Sequence, residues 1–411
     1  MTDQQGLTNF EGRLEEAVWS YSREGLRTFD AAAISQQARA ERGLALPVIG
    51  DRRVLRLALL AALISAAVLA IALAGSRRHD VPLPLPGVIV VGAGDQLVAV
   101  DAGSGAAQEL TPKTPHDANP AWSPDGRHIS FTSHDGRGPV QVVDADGANR
   151  RVLTPGFGTN GPAVWSPDGT RLAFGGYRYP GDGDPGLWIV NADGSGLSLL
   201  VPSQAIPGRL AWSPNGSMIA FSRADGPAEV LDLATGEITR VGSPMIRETT
   251  DPTPPAWQPG GMALLYSRPG HGELHDLVLG ERTGKTWTER PIVTDLAYGE
   301  AAPAWLDRDR FVFVRWDVAP WSSTTGARPV VARADGTIER VLGDGGIEPW
   351  TTGCVAPDGS AVAYPVTTAV SDDGSHIESG LVVLPIDGRA VSRFPTAPLS
   401  SSDVAPCSWR R

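Results

Sequence analysis

The sequence predicts an all-β protein, a ring of about seven four-stranded sheets carried behind a single apolar helix. Three observations lead there. A tryptophan followed by a tight-turn signature recurs roughly every 45 residues, which is the length of one sheet in a radial repeat. Strands of period-2 hydrophobicity flank each copy. An uncharged run stands apart, upstream of all the copies.

The repeat reads AWSPDGRHISF at 121–131, VWSPDGTRLAF at 164–174 and AWSPNGSMIAF at 211–221. Its marker falls at Trp122, Trp165, Trp212, Trp257 and Trp305, with Val355 in the same slot of CVAPDG; the gaps are 43, 47, 45, 48 and 50 residues. Nine residues after the marker come Phe131, Phe174, Phe221, Tyr266 and Tyr364, while Phe313 arrives one place early. Ser-Pro-Asp-Gly suits a type I turn: Pro fixes φ at its second position, Asp tolerates the third and Gly closes it. Each unit therefore opens strand, tight turn, strand. A third strand follows, such as VQVVDA (140–145), LWIVNA (187–192) or LVVLPI (381–386). Then comes a turn with Asp-Gly or Thr-Gly and a fourth short strand, such as RRVLT (150–154) or IERVL (338–342). Four antiparallel strands in one period make a β-propeller blade. The Trp and the later aromatic are read as filling between blades, and the Pro-Asp-Gly as the inner hairpin.

On these residues the repeat resembles the TolB-type propeller, a relative of the WD repeat, over residues 87–409. The match is strong at 121–131 and 164–174 and fades where WQPGG and WLDRD replace WSPDG. The resemblance implies a propeller outside the bacterial cytoplasmic membrane that engages proteins. Residues 88–91, 96–101 and 107–111 match the second, third and fourth strands of a unit whose first strand is missing. DVAPCSW (403–409) resembles that first strand, with Trp409 one place late. Counting this split unit gives seven blades; six is the alternative, since the resemblance implies fewer blades in TolB itself. Cys354 and Cys407, the two cysteines of the chain, both precede the marker slot on inner strands of neighbouring blades. They are expected to form a disulfide, against the alternative of two buried thiols.

From Leu57 to Gly75, within 54–75, no residue is charged, and the run spans roughly 28 Å as a helix, enough for a bilayer core. A signal peptide is the competing reading, but such peptides start within a few residues of the N-terminus and carry a shorter apolar core. Arg42, Arg52, Arg53 and Arg56 on one side, against Arg77 and Arg78 on the other, favour a cytoplasmic N-terminus. Residues 1–79 carry ten Arg and eight acids, a balance of +2, leaving −13 for the rest of a total of −11. So acidic an outer domain argues against a nucleic-acid partner.

Residues 1–53 read as helical, with a capping-box pattern at Thr8 and Glu11 and an apolar stripe of Phe10, Leu14, Val18 and Tyr21. The stripe would hold a cytosolic protein or belong to a solvated tail. Residues 76–86 are a Pro-rich, stiff linker. It leads into the propeller, 87–411, on the face that carries the Ser-Pro-Asp-Gly turns, which should then look at the membrane. The opposite face carries long connections at 175–186, 315–328 and 365–380. Tyr177, Tyr179, Trp316 and Trp321 in or beside them are candidates for contacting a protein or glycan ligand.

Chemical motifs are weak. LGERTGKT (279–286) has three residues, where a P-loop has four, between its glycines, and strand-like sequence follows. His271 and His275 are four apart on an expected strand, and GDGD (181–184) lacks a full calcium-loop pattern. No G-x-S-x-G occurs. The expectation is a single-pass protein of the bacterial cytoplasmic membrane whose propeller binds a ligand, without catalysis, cofactor or metal. The alternative is an anti-sigma-like signalling regulator whose cytoplasmic helices hold a partner while the propeller senses an external ligand.

Overall fold

The computed structural model describes residues 87–93, 96–112, 117–133, 137–179, 183–203, 207, 209–222, 228–242, 254–269, 275–293, 298–317, 327–343, 353–369, 377–395 and 407–410. All of them fall within one compact unit, Asp80–Arg411. The expected cytoplasmic segment 1–53, the apolar run 54–75 and the linker 76–86 lie outside the described residues. Among the described residues no helix is long and apolar enough to cross a membrane.

The strands form seven sheets, each antiparallel and built in sequence order from inner strand a to outer strand d. Blade 2 shows the plan: Ala118–Trp122, His128–Thr132, Val140–Asp144 and Arg151–Val152. Blade 1 is split as expected. Its a strand is Ser408–Arg410, pairing Val88↔Arg410, Ile89↔Trp409 and Val90↔Ser408 beside Val88–Ala93. Blade 3 has a fifth strand, Phe157–Thr159, paired with the far end of Arg171–Arg178.

Pairing register explains the marker residues. Trp122, Trp165, Trp212 and Trp257 lie opposite Ile129, Leu172, Ile219 and Leu264, seven residues on, and each aromatic sits two places beyond that partner. Trp305 pairs with Phe311 only six residues on, because its turn is one residue shorter, so Phe313 stays in register despite arriving early. Trp409, late by sequence alignment, pairs with Ile89 and so occupies the same slot as the other tryptophans. Sequence offset here reflects turn length and not a displaced side chain.

Period-2 alternation sends successive residues to opposite sheet faces. Because both faces of every blade meet a neighbour, the second strands are buried throughout. The core divides into seven apolar clusters, each shared by two adjacent blades. Ile89 and Val91 pack towards blade 7, for example, while Val90 packs towards blade 2. One cluster joins blades 7 and 1, so the ring is closed.

The indoles add a polar link between blades. Each Nε1–H donates to the backbone carbonyl just before the preceding blade's tryptophan: Trp165 to Ala121 (3.1 Å), Trp212 to Val164 (3.1 Å), Trp257 to Ala211 (3.0 Å) and Trp305 to Ala256 (3.0 Å). The pattern lapses at the blade 6–blade 7 and blade 1–blade 2 seams. Val355 has no indole to give, and Trp122 Nε1 finds no acceptor among the described residues. Cys354 and Cys407 are joined in a disulfide between blades 7 and 1. The Trp122 amide donates to Ser408 Oγ (3.0 Å), and the Arg410 guanidinium lies 4.1 Å from the centre of the Trp122 ring and donates to the Gly126 carbonyl.

The Ser-Pro-Asp-Gly turns close as their residue types require. Gly126, Gly169, Gly216 and Gly359 take φ of 67°, 70°, 70° and 69°, where a side chain is strained. Ser166 Oγ donates to Asp168 Oδ1 (2.5 Å) and accepts from the Arg171 amide (3.0 Å), tying both ends of the turn together. The Ser166 hydroxyl, then the Thr170 amide and hydroxyl, hold the Asp168 carboxyl down to about 2. A depressed folded value stabilises above the unfolded value of 3.8 and is lost as pH falls through about 2. Asn215 fills the same turn position in blade 4 without a charge. The stability of the wild type relative to Asp168→Asn is therefore expected to be constant at neutral pH and to fall between about pH 4 and pH 2, followed by thermal unfolding. A gap unchanged across that window would refute the assignment. The exposed position keeps the effect small.

Candidate binding surface

The a–b and c–d turns lie on one face of the ring; the b–c loops and the d–a connections lie on the other. The four candidate aromatics belong to the second, loop-bearing face, and the structure separates them. Tyr177 is half-buried: its ring covers Gly158 on the facing strand, where an added Cβ would lie 2.4 Å from Tyr177 Cζ. Trp316 covers Gly299 in the same way, with 2.2 Å between such a Cβ and Trp316 Cε2. Both rings thus fill space over a glycine in the sheet. Tyr179 is 67% exposed. Trp321 lies outside the described residues.

Tyr179 sits at the end of a braced projection. The b and c strands of blade 3, Arg171–Arg178 and Gly183–Asn191, extend beyond those of blade 2, and Phe157–Thr159 lines their base. Phe157 meets Trp188 edge-on at 4.9 Å and Phe174 at 6.1 Å. The Arg178 guanidinium lies 5.2 Å from both the Phe157 and Trp188 rings, and its Nε donates to Asp184 Oδ2 (3.2 Å). Asp184 has φ 53° and its carbonyl accepts the Trp188 indole N–H (3.1 Å). The Tyr179 amide is held by the Gly156 carbonyl (2.7 Å). An exposed aromatic on so fixed a backbone loses little entropy on contact, which is what a recognition anchor needs.

Two buried ion pairs tie strands together within blades 6 and 2. Glu300 is fully buried and accepts from Arg315 Nη2 (2.6 Å) and Nε (3.1 Å), while Arg315 stacks 4.8 Å from Tyr298. Asp117, also buried, takes a two-pronged contact from Arg150 at 2.9 and 3.0 Å. Sequence reading missed both pairs, as it missed Phe157, Arg178 and Trp188; the one local signal was a carboxylate ahead of the marker Trp, at Glu300 and Asp117.

The P-loop-like stretch is a hairpin. Leu279–Thr283 ends the third strand of blade 5, Gly284 and Lys285 turn, and Lys285 Nζ meets Glu237 Oε2 at 2.7 Å. His271 lies outside the described residues and His275 begins that same strand. Among the described residues no three His, Cys, Asp or Glu side chains gather as a metal site.

Seven radial sheets closed into a ring define a β-propeller. The sequence matches the TolB beta propeller domain over residues 93–306, just over half of the chain. The protein belongs to this family. No curated protein sequence matches it significantly. Among solved structures, it is similar to a functionally unknown protein from Desulfotomaculum acetoxidans, with TM-score 0.55 at 12% identity over 79% of this chain and 98% of that one. It is also similar to an oligogalacturonate lyase in complex with manganese, with TM-score 0.53 at 16% identity over 71% and 82%. For TolB from Acinetobacter baumannii the TM-score is 0.47 at 14% identity, over 78% and 81%. At these identities the likeness is one of fold.

Proposed function

We propose that the protein is a membrane-anchored, extracytoplasmic propeller that binds a protein or glycan ligand on its loop-bearing face and catalyses no reaction. The observation that carries the binding role is the braced blade 3 projection, which holds Tyr179 67% exposed on a backbone fixed by Arg178, Asp184 and Phe157. The apolar run 54–75 supports the anchor, and a disulfide suits an oxidising space. Val88 pairs with Arg410 at the turn-bearing edge of blade 1, where the chain enters the propeller.

Protease added to intact spheroplasts is expected to digest the propeller and leave residues 1–53 protected; a protected propeller would sink the placement. A photo-crosslinking residue at position 179 is expected to capture one envelope component that the same residue at position 146, on the turn-bearing face, does not. Equal capture at both positions refutes the assigned face. A signalling regulator is the second reading, favoured by the Phe10, Leu14, Val18 and Tyr21 stripe. Co-purification of the full chain with a specific cytosolic protein, lost on Leu14→Asp, would distinguish it.

A further inference from the structure

A cleft of about 630 Å³ lies away from that surface, on the turn-bearing face between blades 6 and 7. In a chain of net charge −11 it is lined by four arginines: Arg310, Arg333, Arg340 and Arg389. Their sequence positions span two blades, and strand pairing gathers them. Arg310 opens the second strand of blade 6 and lies opposite Arg333, Arg340 is on the outer strand, and Arg389 comes from the c–d turn of blade 7.

Each guanidinium is already oriented. Nε of Arg310 meets Asp307 Oδ2 at 2.8 Å, Nε of Arg333 meets Glu339 Oε1 at 2.6 Å, and Nε of Arg389 meets Asp387 Oδ2 at 2.6 Å. Arg340 Nη1 donates to the Asp387 carbonyl. Glu339, Asp358 and Asp387 line the cleft with the arginines, and Asp307, Asp358 and Asp387 are also held by their own turns. Asp307 Oδ1 accepts the Asp309 and Arg310 amides, both at 2.8 Å, Asp387 Oδ1 accepts the Arg389 amide at 3.1 Å, and Asp358 Oδ1 accepts the Ser360 amide at 3.0 Å and hydroxyl at 2.6 Å. The terminal amino groups of Arg310, Arg333 and Arg389 have no partner among the described residues. The cleft thus holds spare donors in planar forks. That chemistry matches the oxygens of a phosphate group.

The geometry points to an anion site between blades 6 and 7 that binds a phosphate group through the terminal nitrogens of Arg310, Arg333 and Arg389, with Arg340 at its rim. The phosphate comes from a lipid headgroup or from a free phosphate. The lipid source rests on the anchor reading; the phosphate chemistry does not.

The test uses the full chain in non-ionic detergent, titrated calorimetrically with inorganic phosphate and, separately, with glycerophosphoglycerol, the headgroup of an anionic phospholipid. Saturable binding is expected for at least one probe. Preference for glycerophosphoglycerol assigns the lipid source, and preference for inorganic phosphate the free one. Arg333→Gln with Arg389→Gln is expected to weaken binding about tenfold or more, and Arg333→Lys with Arg389→Lys to restore part of it, since charge returns without the fork. Thermal unfolding of each variant checks that the blades are intact, and the Lys pair serves should the Gln pair fail to fold. Absence of saturable binding by either probe, or binding equal in wild type and folded variants, overturns the site.

Discussion

Replacing Cys354 and Cys407 together by serine is expected to destabilise the propeller by about 4 kcal/mol, the chain-entropy value for cross-linking residues 53 apart. The site makes that cost hard to offset. The four seams from blade 2 to blade 6 each carry an indole-to-carbonyl hydrogen bond, whereas here a covalent bond joins the two inner strands. The a strand of blade 1, moreover, has only three residues, Ser408–Arg410. The cross-link fastens this short strand to blade 7 beside the apolar cluster that the two blades share. Denaturant unfolding of the oxidised wild type and the double serine variant measures the difference. Equal midpoints would mean that the apolar cluster around Ile89, Ala363 and Trp409 closes the ring unaided.

The second large effect is at the marker tryptophan itself. Trp212→Ala is expected to cost about 3–5 kcal/mol, since it removes a nearly buried indole from the blade 3–blade 4 cluster that also holds Leu187, Ile219 and Phe221. Trp212→Phe keeps most of the apolar volume and removes the bond to the Val164 carbonyl, so its cost should be roughly 1–2 kcal/mol. The difference between the two variants separates packing from hydrogen bonding. If both cost the same, the hydrogen bond and not the packing dominates, and the reading of Trp as inter-blade filling is wrong. Trp122 is the internal control: with no acceptor for its Nε1, Trp122→Phe should lose less than Trp212→Phe.

Much of the architecture could be read from residues because the repeat joins two short-range signals. Ser-Pro-Asp-Gly fixes a turn locally, and Trp with a later aromatic fixes which face of the following strand is buried. Together they set strand order, blade count and the split blade. What escaped was anything set by turn length or by distant pairing. Trp409 looks displaced in sequence, yet pairing with Ile89 restores it to its slot. Phe157–Thr159 precedes a marker and reads as a loop, and becomes a strand only because the blade 3 hairpin reaches past it. Among the candidate ligand contacts, exposure on a loop was the working assumption. It fits Tyr179, whereas Tyr177 and Trp316 are half-buried over Gly158 and Gly299, contacts invisible until the facing strand is known. The arginine cleft was hidden for the same reason, since its members are scattered between 310 and 389.

The pairing of Val88 with Arg410 has a consequence for biogenesis. During synthesis blade 1 emerges early but presents a naked strand edge until Ser408–Arg410 leave the ribosome. Such an edge is a template for stray association, and its proper partner is separated from it by nearly the whole domain, which makes docking slow. The ring can therefore close only once Ser408–Arg410 have emerged. Ribosome-bound fragments stopped before Ser408 would then be the species most in need of a chaperone.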